Sequence, residues 1–487
     1  MIFLGGLNRR YLETFVLRAR FFFCVNVNYF LRNCQLSSVP DQFIIFGMDP
    51  EILARIQFAI TAGFHFLFPP LSIGLGVFLT IVHGFAWKTK DADWRRLAEF
   101  WTRLFALIFA FGVATGIVLE FEFGTNWARY SRFVGDVFGS PLAIEAIFAF
   151  FMESCFLGVV LFGRGKVSEG FRYFSVIMMT IGAHLSAVWI LVANSWMQTP
   201  AGYHLVETEN GPRAEITSFL EMVFNPSTVD RIWHVTMASW ATGAFLVVAV
   251  SAWQLLKNRC VPEAKKGLKT GLVFAAVACA LVFTAGHSSS VLLEKTQPIK
   301  FAAMEGLFDT SEPAGFHIVG VVDEEAGTVH GLHVPGVVSV MLGNGLTVTP
   351  ENKLLGLNDV PADERPPLQL TFQSFHIMIY CAGAMALLVA LGLFLWWRGK
   401  LFETRWWLIA AVPAAALPQI ANQFGWIATE VGRQPWIVQN LLRTSDAFST
   451  NVSSGQIAFS LVFFTLVYLA LAALFVVVFV KKITTHK

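Results

Sequence analysis

The sequence contains little charge, and this scarcity excludes most soluble proteins. Charged residues make up 14% of the 487 residues and hydrophobic residues 55%, a balance too apolar for the surface of a soluble globular protein. The formal net charge is +2, and the basic residues form short clusters between apolar segments instead of one extended stripe. That distribution argues against a nucleic-acid partner. The composition indicates a polytopic membrane protein.

Cysteines are also few, and none of them forms a CxxC motif. Their isolation argues against an iron–sulfur site, a zinc knuckle and a disulfide framework. We interpret them as packing residues. The six positions are Cys24, Cys34, Cys155, Cys260, Cys279 and Cys381.

The histidine spacing excludes two further kinds of metal centre. A haem–copper centre would need adjacent histidines, and the sequence contains none. A four-helix cytochrome with paired histidine ligands would need about 13 or 14 residues between the two histidines of a helix. His65 and His83 lie farther apart than that.

Nine apolar segments are long enough to cross a bilayer, which takes about 20 helical residues. We therefore predict an all-α, polytopic membrane protein with nine transmembrane helices. The predicted spans are 54–87, 97–119, 141–162, 171–196, 232–256, 271–287, 370–397, 406–427 and 456–480.

Basic residues alternate between the connections of these spans. The connections after spans one, three, five, seven and nine carry lysine and arginine, for example Lys265, Lys266 and Lys269 after span five. Since cytoplasmic loops are enriched in these residues, we predict that helix 1 starts outside and that the C-terminus is cytoplasmic.

The chain divides into four predicted segments. Residues 1–47 are rich in arginine, which conflicts with an outside start of span one, so we interpret them as an upstream extension or a leader outside the core. Residues 48–286 hold helices one to six, and residues 370–487 hold helices seven to nine and a cytoplasmic tail. The segment between them, residues 287–369, is predicted to be a long external loop between helices six and seven. A loop of this length is usually functional or disordered.

Five side chains of iron-binding type fall within one layer of the predicted bilayer. At 1.5 Å per helical residue, all of them lie within roughly the outer half of their spans. Histidine with methionine is an axial pair of low-spin haem, whereas a single strong ligand leaves the opposite face of the iron open for dioxygen. Carboxylates beside apolar spans are seldom without function. The five residues are His65, Glu145, His234, Met378 and Glu430.

Each of these candidates also has a simpler interpretation. Met378 alone is typical of a core methionine, and His234 lies near a membrane end where interfacial histidines occur. Glu153 lies eight residues beyond Glu145, about 12 Å deeper on a neighbouring face of one helix, a spacing that suits a proton relay. The alternative for Glu153 is a structural pair with a neighbouring helix.

Five segments resemble subunit I of the cytochrome bd quinol oxidases, and the resemblance extends from Met48 to about Lys482. It implies an enzyme of the bacterial inner membrane that oxidises quinol at the outer face and reduces dioxygen to water. It also implies that protons come from the cytoplasm and that proton motive force is generated without pumping. The segments are ARIQFAITAGFHFLF (54–68), EFGTNW (122–127), PLAIE (141–145), WILVANSWMQ (189–198) and GRQPW (432–436).

The resemblance also implies three haem groups. His234 and Met378 match the ligands of a low-spin haem b. His65 and Glu430 match the ligands of a high-spin haem b and of haem d, or of a further haem b in its place, and which residue takes which haem stays open. Glu145 matches a carboxylate beside haem d.

Further implied roles concern quinol, protons and the GRQPW motif. Lys300 and Glu305 in the outer loop match residues of quinol oxidation, and the alternative for them is a solvated ion pair. Glu153 matches the next acid on the proton route. Arg433 and Trp436 are expected to contact a cofactor.

The implied partners are subunit II of the oxidase, a small single-helix subunit, quinol, dioxygen and membrane lipid, with no nucleic acid. Two departures from the family pattern matter: His376 stands two residues before Met378 where arginine is usual, and the outer loop is short. Two rival functions use the same residue types, namely a proton-coupled transporter and a haem-binding sensor. Ubiquinol and menaquinol are both compatible with the sequence.

Overall fold

The computed structural model describes residues 48–209, 211–310, 313–343 and 353–485. The predicted extension at residues 1–47 lies outside the described residues. The described part is mostly helical, and its three small sheets are all two-stranded antiparallel hairpins.

The helices of this part are, in chain order, α1 (Pro50–His65), α2 (Pro69–Thr89), α3 (Ala92–Thr125), α4 (Ala128–Phe133), α5 (Gly135–Ile144), α6 (Phe151–Phe162), α7 (Glu169–Gln198), α8 (Phe219–Val223), α9 (Thr228–Leu256), α10 (Val261–Thr296), α11 (Pro298–Glu305), α12 (Val337–Met341), α13 (Leu368–Trp397), α14 (Arg405–Ala411), α15 (Ala416–Val431) and α16 (Ser454–Thr485). A π-helical turn, Glu145–Phe150, joins α5 to α6. The strands are β1 (Tyr203–Thr208), β2 (Gly211–Ile216), β3 (Phe316–Asp323), β4 (Thr328–Val334), β5 (Trp436–Val438) and β6 (Leu442–Arg443).

Eight helical segments of the described residues are long and apolar enough to cross a membrane. They correspond to eight of the nine predicted spans, the exception being the span predicted at 406–427. There α14 and α15 are separated by a 3₁₀ turn, Pro413–Ala415. Proline has no N–H and its ring clashes with the preceding turn, which explains the break. The two shorter helices do not form one continuous span, and α15 extends beyond the predicted end, so that Glu430 lies in its last turn.

The first predicted span is also interrupted, between α1 and α2. Pro69 and Pro70 occupy the first positions of α2, where the missing N–H groups of proline are tolerated. A second difference is at the sixth span, because α10 continues to Thr296, beyond the predicted end of that span at residue 287.

The spans pack through small residues. A Cβ atom added to Gly74 of α2 would lie 2.2 Å from the carbonyl oxygen of Ser239 in α9, and one added to Gly243 would lie 2.4 Å from the carbonyl carbon of Gly74. Close backbone approach at small residues is a common way to associate helices in lipid. Large buried side chains such as Phe78 and Trp101 fill the neighbouring core.

The hairpin β3–β4 of the outer segment docks on α13. The amide oxygen of Gln369 accepts from the Val322 N–H (2.7 Å), and Nε2 of Gln373 donates to the Gly320 carbonyl (2.6 Å). Farther along the helix, the Tyr380 hydroxyl donates to the Ile318 carbonyl. All three side chains bind the main chain of β3, which fixes the hairpin against the helix that carries Met378.

Candidate functional site

The carboxylate of Glu430 lies in a network of buried and half-buried polar side chains between α7 and α15. Its Oε1 accepts from Nδ2 of Asn194 (3.1 Å) and from Nε2 of Gln198 (3.2 Å). Its Oε2 forms an ion pair with Arg433. Asn194 and Gln198 are four residues apart on α7 and therefore share one face of that helix.

Two further cations reach this network from other elements. Arg231 of α9 donates to Oδ1 of Asn194 (2.8 Å). Lys300 of α11 donates to Oε1 of Gln198 (2.6 Å) and to Oε1 of Gln297 (2.8 Å). Burial and the neighbouring arginines hold the pKa of Lys300 well below its ordinary value.

Positive charge exceeds negative charge in this cluster. The guanidinium groups of Arg231 and Arg433 and the amine of Lys300 surround the single carboxylate of Glu430, and the two arginines alone outnumber it. In addition, Nε and Nη1 of Arg433 are buried and have no hydrogen-bond partner among the described residues. Buried charges are normally paired, so the arrangement fits a bound group that carries carboxylates of its own.

His234 and Met378 lie on helices that flank this cluster. His234 is three residues beyond Arg231 on α9, and its Nδ1 is buried without a hydrogen-bond partner in the described part of the chain. The sulfur of Met378 lies 3.0 Å from the point where a Cβ of Gly425 would stand, so a larger residue at 425 would require the thioether to shift. An unpaired imidazole nitrogen and a thioether are both able to ligate haem iron.

The imidazole of His65 is oriented by α3. The hydroxyl of Thr115 donates to the Phe111 carbonyl (2.9 Å) and lies 3.0 Å from Nδ1 of His65. Because the Thr115 hydroxyl donates its proton to the Phe111 carbonyl, it can only accept a hydrogen bond from the Nδ1–H group of His65. The lone pair of His65 then resides on Nε2, which is the form of histidine that binds a metal.

His65 and Glu430 stand at different levels of the bundle. Gln423 of α15 donates to the Gly63 carbonyl (2.9 Å) and Gln419 to the Leu67 carbonyl (2.9 Å), which sets α1 and α15 antiparallel. From this register, at 1.5 Å per residue, the two side chains are separated by about 13 Å along the axis. One iron therefore could not take both residues as ligands.

The two acids of the third span face α7. The Ser186 hydroxyl donates to Oε1 of Glu145 (2.6 Å), and a Cβ added to Gly182 would lie 3.0 Å from the Cβ of Glu153. The π-helical turn that begins at Glu145 adds one residue to a turn, which rotates the following residues back by about 100°. Glu145 and Glu153 therefore point to nearly the same face of the helix. In a regular helix the same two residues would point to neighbouring faces.

The outer segment buries both residues predicted to act on quinol. Lys300 is 3% exposed and Glu305 is 6% exposed, so the alternative of a solvated ion pair is wrong. They also form no ion pair with each other, since Lys300 points to Gln198. Burial raises the pKa of Glu305 to about 8, and its Oε2 has no partner among the described residues. Nδ1 of His317 lies 3.4 Å from the Glu305 carbonyl oxygen.

The remaining sequence candidates lie near these groups in different ways. The guanidinium carbon of Arg443 lies 5.0 Å from the ring centre of Trp436, so this tryptophan forms a cation–π contact with Arg443. His376 is fully buried, with its ring 4.0 Å from that of Phe372 and its Nε2 unpartnered within the described ranges.

Sequence reasoning gave no role to Asn194, Gln198, Arg231 and Thr115. The first two lie in the WILVANSWMQ segment, where polar side chains at a spacing of four residues inside an apolar span were the available signal.

Bare metal ions are not suited to these positions. In the described ranges no three histidine, cysteine or acidic side chains lie close enough to hold an ion. A haem needs only one or two protein ligands, because its macrocycle supplies four nitrogens. The candidate ligands lie singly on separate helices, and cations surround one of them, Glu430. This arrangement is compatible with haem, whose propionates are anionic. The fold thus defines a multi-pass membrane protein, with candidate cofactor ligands inside its helix bundle.

Comparisons with known proteins identify its family. The sequence profile described as "Cytochrome bd terminal oxidase subunit I" matches residues 53–487. The chain is 39% identical to cytochrome bd ubiquinol oxidase subunit 1 of Bacillus subtilis (strain 168) over 448 residues, covering 90% of this chain and 94% of the relative. It is 35% identical to cytochrome bd-II ubiquinol oxidase subunit 1 of Escherichia coli (strain K12) over 478 residues, covering 84% and 91%. The chain belongs to the cytochrome bd oxidase subunit I family, which confirms the resemblance.

A solved structure shares the fold. The bd oxidase from Geobacillus thermodenitrificans superposes with a TM-score of 0.83 at 28% identity, covering 91% of this chain and 100% of that chain. Membership of the family implies haem cofactors and a quinol substrate.

Proposed function

We propose that the protein is the haem-bearing subunit of a quinol:oxygen oxidoreductase that oxidises two quinols for each dioxygen reduced to two waters. The observation that carries this proposal is the network in which Glu430 and Lys300 share Gln198. It joins a candidate iron ligand to the segment proposed to bind quinol.

Three haems are proposed, each held by residues described above. His234 and Met378 would hold a low-spin haem b, whereas His65 and Glu430 would hold a high-spin haem b and a haem d, or a further haem b in its place. The haems would supply one-electron redox chemistry and the site of dioxygen reduction. Arg231 would bind haem propionates together with the two other cations of its cluster, because its charge and theirs are not balanced by protein groups.

Quinol is proposed to bind beside α11. Oxidation of a quinol releases two protons and two electrons, so the site needs a proton acceptor at a hydroxyl. Glu305 would fill this role, since its buried Oε2 is unpartnered in the described part of the chain. Lys300 would orient the ring oxygen or hold a propionate through its remaining N–H group. Two relatives are named for ubiquinol and a third for menaquinol, so both quinols are candidate substrates.

Protons for water formation are proposed to pass Glu153 and Glu145. Both acids lie against α7, and their alignment on one face shortens the distance a proton travels between them. With helix 1 starting outside and the C-terminus in the cytoplasm, the acids would be loaded from the cytoplasm while quinol protons leave outside. Charge is then separated across the bacterial inner membrane without pumping.

The proposed partners are subunit II and a small single-helix subunit. We further propose that residues 48–286 and 370–487 form the membrane core, that the intervening segment is the external quinol-binding loop, and that residues 1–47 are not part of the core. Several spans leave room for partners or lipid, because only 22% of the apolar window of α3 and 11% of that of α16 are buried.

The test is to purify the complex and record its spectrum after dithionite reduction, together with quinol-driven oxygen uptake. A haem-containing complex that consumes oxygen with quinol is expected, and a red band would assign haem d. A haem-free protein would favour the proton-coupled transporter, and haem without oxygen uptake would favour the sensor.

A further inference from the structure

Two histidines of the outer hairpin lie side by side next to the segment that carries Glu305. His317 on β3 and His333 on β4 are directly paired in the register of the hairpin, so their side chains share one of its faces. The centres of their imidazole rings are 4.8 Å apart. At this separation a proton can pass between the two rings, directly or through one water. Neither histidine has a role in the reaction proposed above.

The inner histidine of the pair contacts Glu305. Nδ1 of His317 lies 3.4 Å from the carbonyl oxygen of Glu305, in a long hydrogen bond. A carbonyl only accepts, so Nδ1 carries the hydrogen and the lone pair of the neutral ring lies on Nε2. The ring is half-buried, with Phe372 of α13 packed against it at 6.1 Å between ring centres. His317 is thereby held next to Glu305 in a form that accepts a proton.

The outer histidine of the pair is open to solvent. His333 is exposed, and its ring lies over Gly315, where an added Cβ would stand 1.9 Å from Nε2. The absence of a side chain at Gly315 therefore leaves the space that the imidazole occupies. The hairpin lies between α11 and α13 in the chain, outside the eight membrane-spanning segments of the described residues. The exposed ring thus belongs to the outer segment and not to the lateral surface of a span.

Glu305 needs a route by which protons leave. A carboxyl group that has accepted a proton from quinol must release it before it can accept another. Glu305 is 6% exposed, so bulk water has little access to its side chain. The two histidines lead from this buried residue to the exposed surface of the hairpin.

The surroundings of His317 favour passage of a proton over its retention. Burial lowers the pKa of His317, and the imidazoles of His333 and His376 lower it further, against a smaller opposite effect of the Glu305 carbonyl. His317 is therefore neutral at pH 7 and holds an added proton only weakly. The titratable side chains on the elements beside β3 are Lys300 and Glu305 of α11, His330 and His333 of β4, and His376 and Tyr380 of α13.

We propose that His317 and His333 form the path by which quinol protons pass from Glu305 to the outer solution. The inference rests on the proposed function, because it needs Glu305 to accept a proton from quinol. The Glu305 carboxyl gives its proton to Nε2 of His317, directly or through one water. His317 passes the proton to His333, which releases it to the solvent. Each transfer breaks one O–H or N–H bond and forms another, both rings return to the neutral form, and no electron moves.

The experiment measures quinol-driven oxygen uptake by the purified oxidase complex. Proton release by a relay limits turnover and not quinol binding, so His317→Gln and His333→Ala should each lower kcat roughly tenfold with KM unchanged. The solvent deuterium isotope effect on kcat should increase in His317→Gln. Millimolar imidazole should restore most of the rate in His333→Ala, because a diffusible base replaces the lost side chain. Oxygen reduction with an artificial donor that bypasses the quinol site, measured at the same imidazole concentration, corrects for binding of imidazole to haem.

His330→Ala is the matched control. His330 is exposed on the same strand, three residues from His333 and so on the other face, where its Nε2 lies 3.4 Å from Oδ2 of Asp323. Wild-type kcat is expected for it, and melting temperature and artificial-donor activity show that each variant is folded.

The outcomes separate this inference from the proposed function. Normal kcat in His317→Gln and His333→Ala, together with loss of quinol oxidation in Glu305→Gln, would overturn the relay alone. A lowered kcat in His333→Ala that imidazole does not restore, or an equal fall in His330→Ala, would also overturn the relay and assign the histidines to the packing of the hairpin. Normal quinol oxidation in Glu305→Gln would overturn the proposed role of Glu305 and the relay with it.

Discussion

Lys300 and Glu430 share one side-chain partner, the amide of Gln198, which accepts from the lysine and donates to the carboxylate. The amide thus connects the outer segment to a candidate iron ligand in α15. We therefore expect a change in the hydrogen bonding of Lys300 to alter that of Glu430 through this amide.

Replacement of Gln198 with leucine tests this connection. It removes a donor from Glu430 and an acceptor from the buried ammonium of Lys300, and an unsatisfied buried charge costs about 1–3 kcal/mol or more. We expect quinol oxidation to slow and the spectrum of the haem assigned to Glu430 to shift together. Asn194→Leu is the comparison, since it removes a donor from Glu430 but leaves the partners of Lys300 in place. If both variants show the same spectral shift and both oxidise quinol normally, Gln198 does not couple Lys300 to Glu430.

His234 and Met378 should behave as a pair. Replacing either one with leucine is expected to abolish the low-spin haem b signal and quinol-driven activity, because low-spin iron requires two axial ligands. The measurement is the reduced-minus-oxidised spectrum. His184→Leu is the control: both of its nitrogens already bind within the protein, to the Thr180 carbonyl (2.7 Å) and the Trp240 indole (2.9 Å). Retention of the low-spin signal in both ligand variants would contradict the assignment.

Quinol oxidation should increase with pH. Because burial raises the pKa of Glu305 to about 8, its carboxyl is mostly protonated at pH 7, and the form that accepts a proton accumulates as the pH rises through 8. The quinol-driven rate at low substrate should therefore rise between about pH 7 and 9 and then level off. Glu305→Gln should lose this pH-dependent rise and most quinol activity. Oxygen reduction with an artificial donor that bypasses the quinol site should continue in that variant, and loss of both activities would point to a structural role.

The proton route is tested by Glu153→Gln. A neutral amide keeps the shape of the side chain but cannot release a proton, so oxygen reduction should slow by at least about tenfold. Electron transfer from quinol to the low-spin haem should stay fast in stopped-flow measurements. Glu169→Gln, at the exposed start of α7, is the control. Equal slowing of both half-reactions by Glu153→Gln would assign that residue to packing.

The membrane helices could be predicted from apolar length, but their interruptions could not be seen by the same criterion. Hydropathy is averaged over a window, so it does not detect the interruptions at Pro69 and Pro413. The prolines themselves are the sequence signal for both breaks. The π-helical turn at Glu145 has no comparable signal, because the hydrogen-bond register of a helix is set by packing against its neighbours.

The individual ligand types could also be identified from sequence, since carboxylates and histidines are conspicuous in apolar spans. Their grouping could not. The hydrogen bond between Gln198 and Lys300 joins positions 102 residues apart, and that proximity exists only after the helices pack.

The three hydrogen bonds that dock β3 on α13 all use main-chain groups of the strand, at Val322, Gly320 and Ile318. Side-chain contacts of the strand lie at its start, where Phe316 stacks on His376 and His317 packs against Phe372. The turn at residues 324–327 takes part in none of these bonds. The hairpin is therefore a natural place for an inserted epitope or fluorophore, and for loops of different length to arise in related proteins.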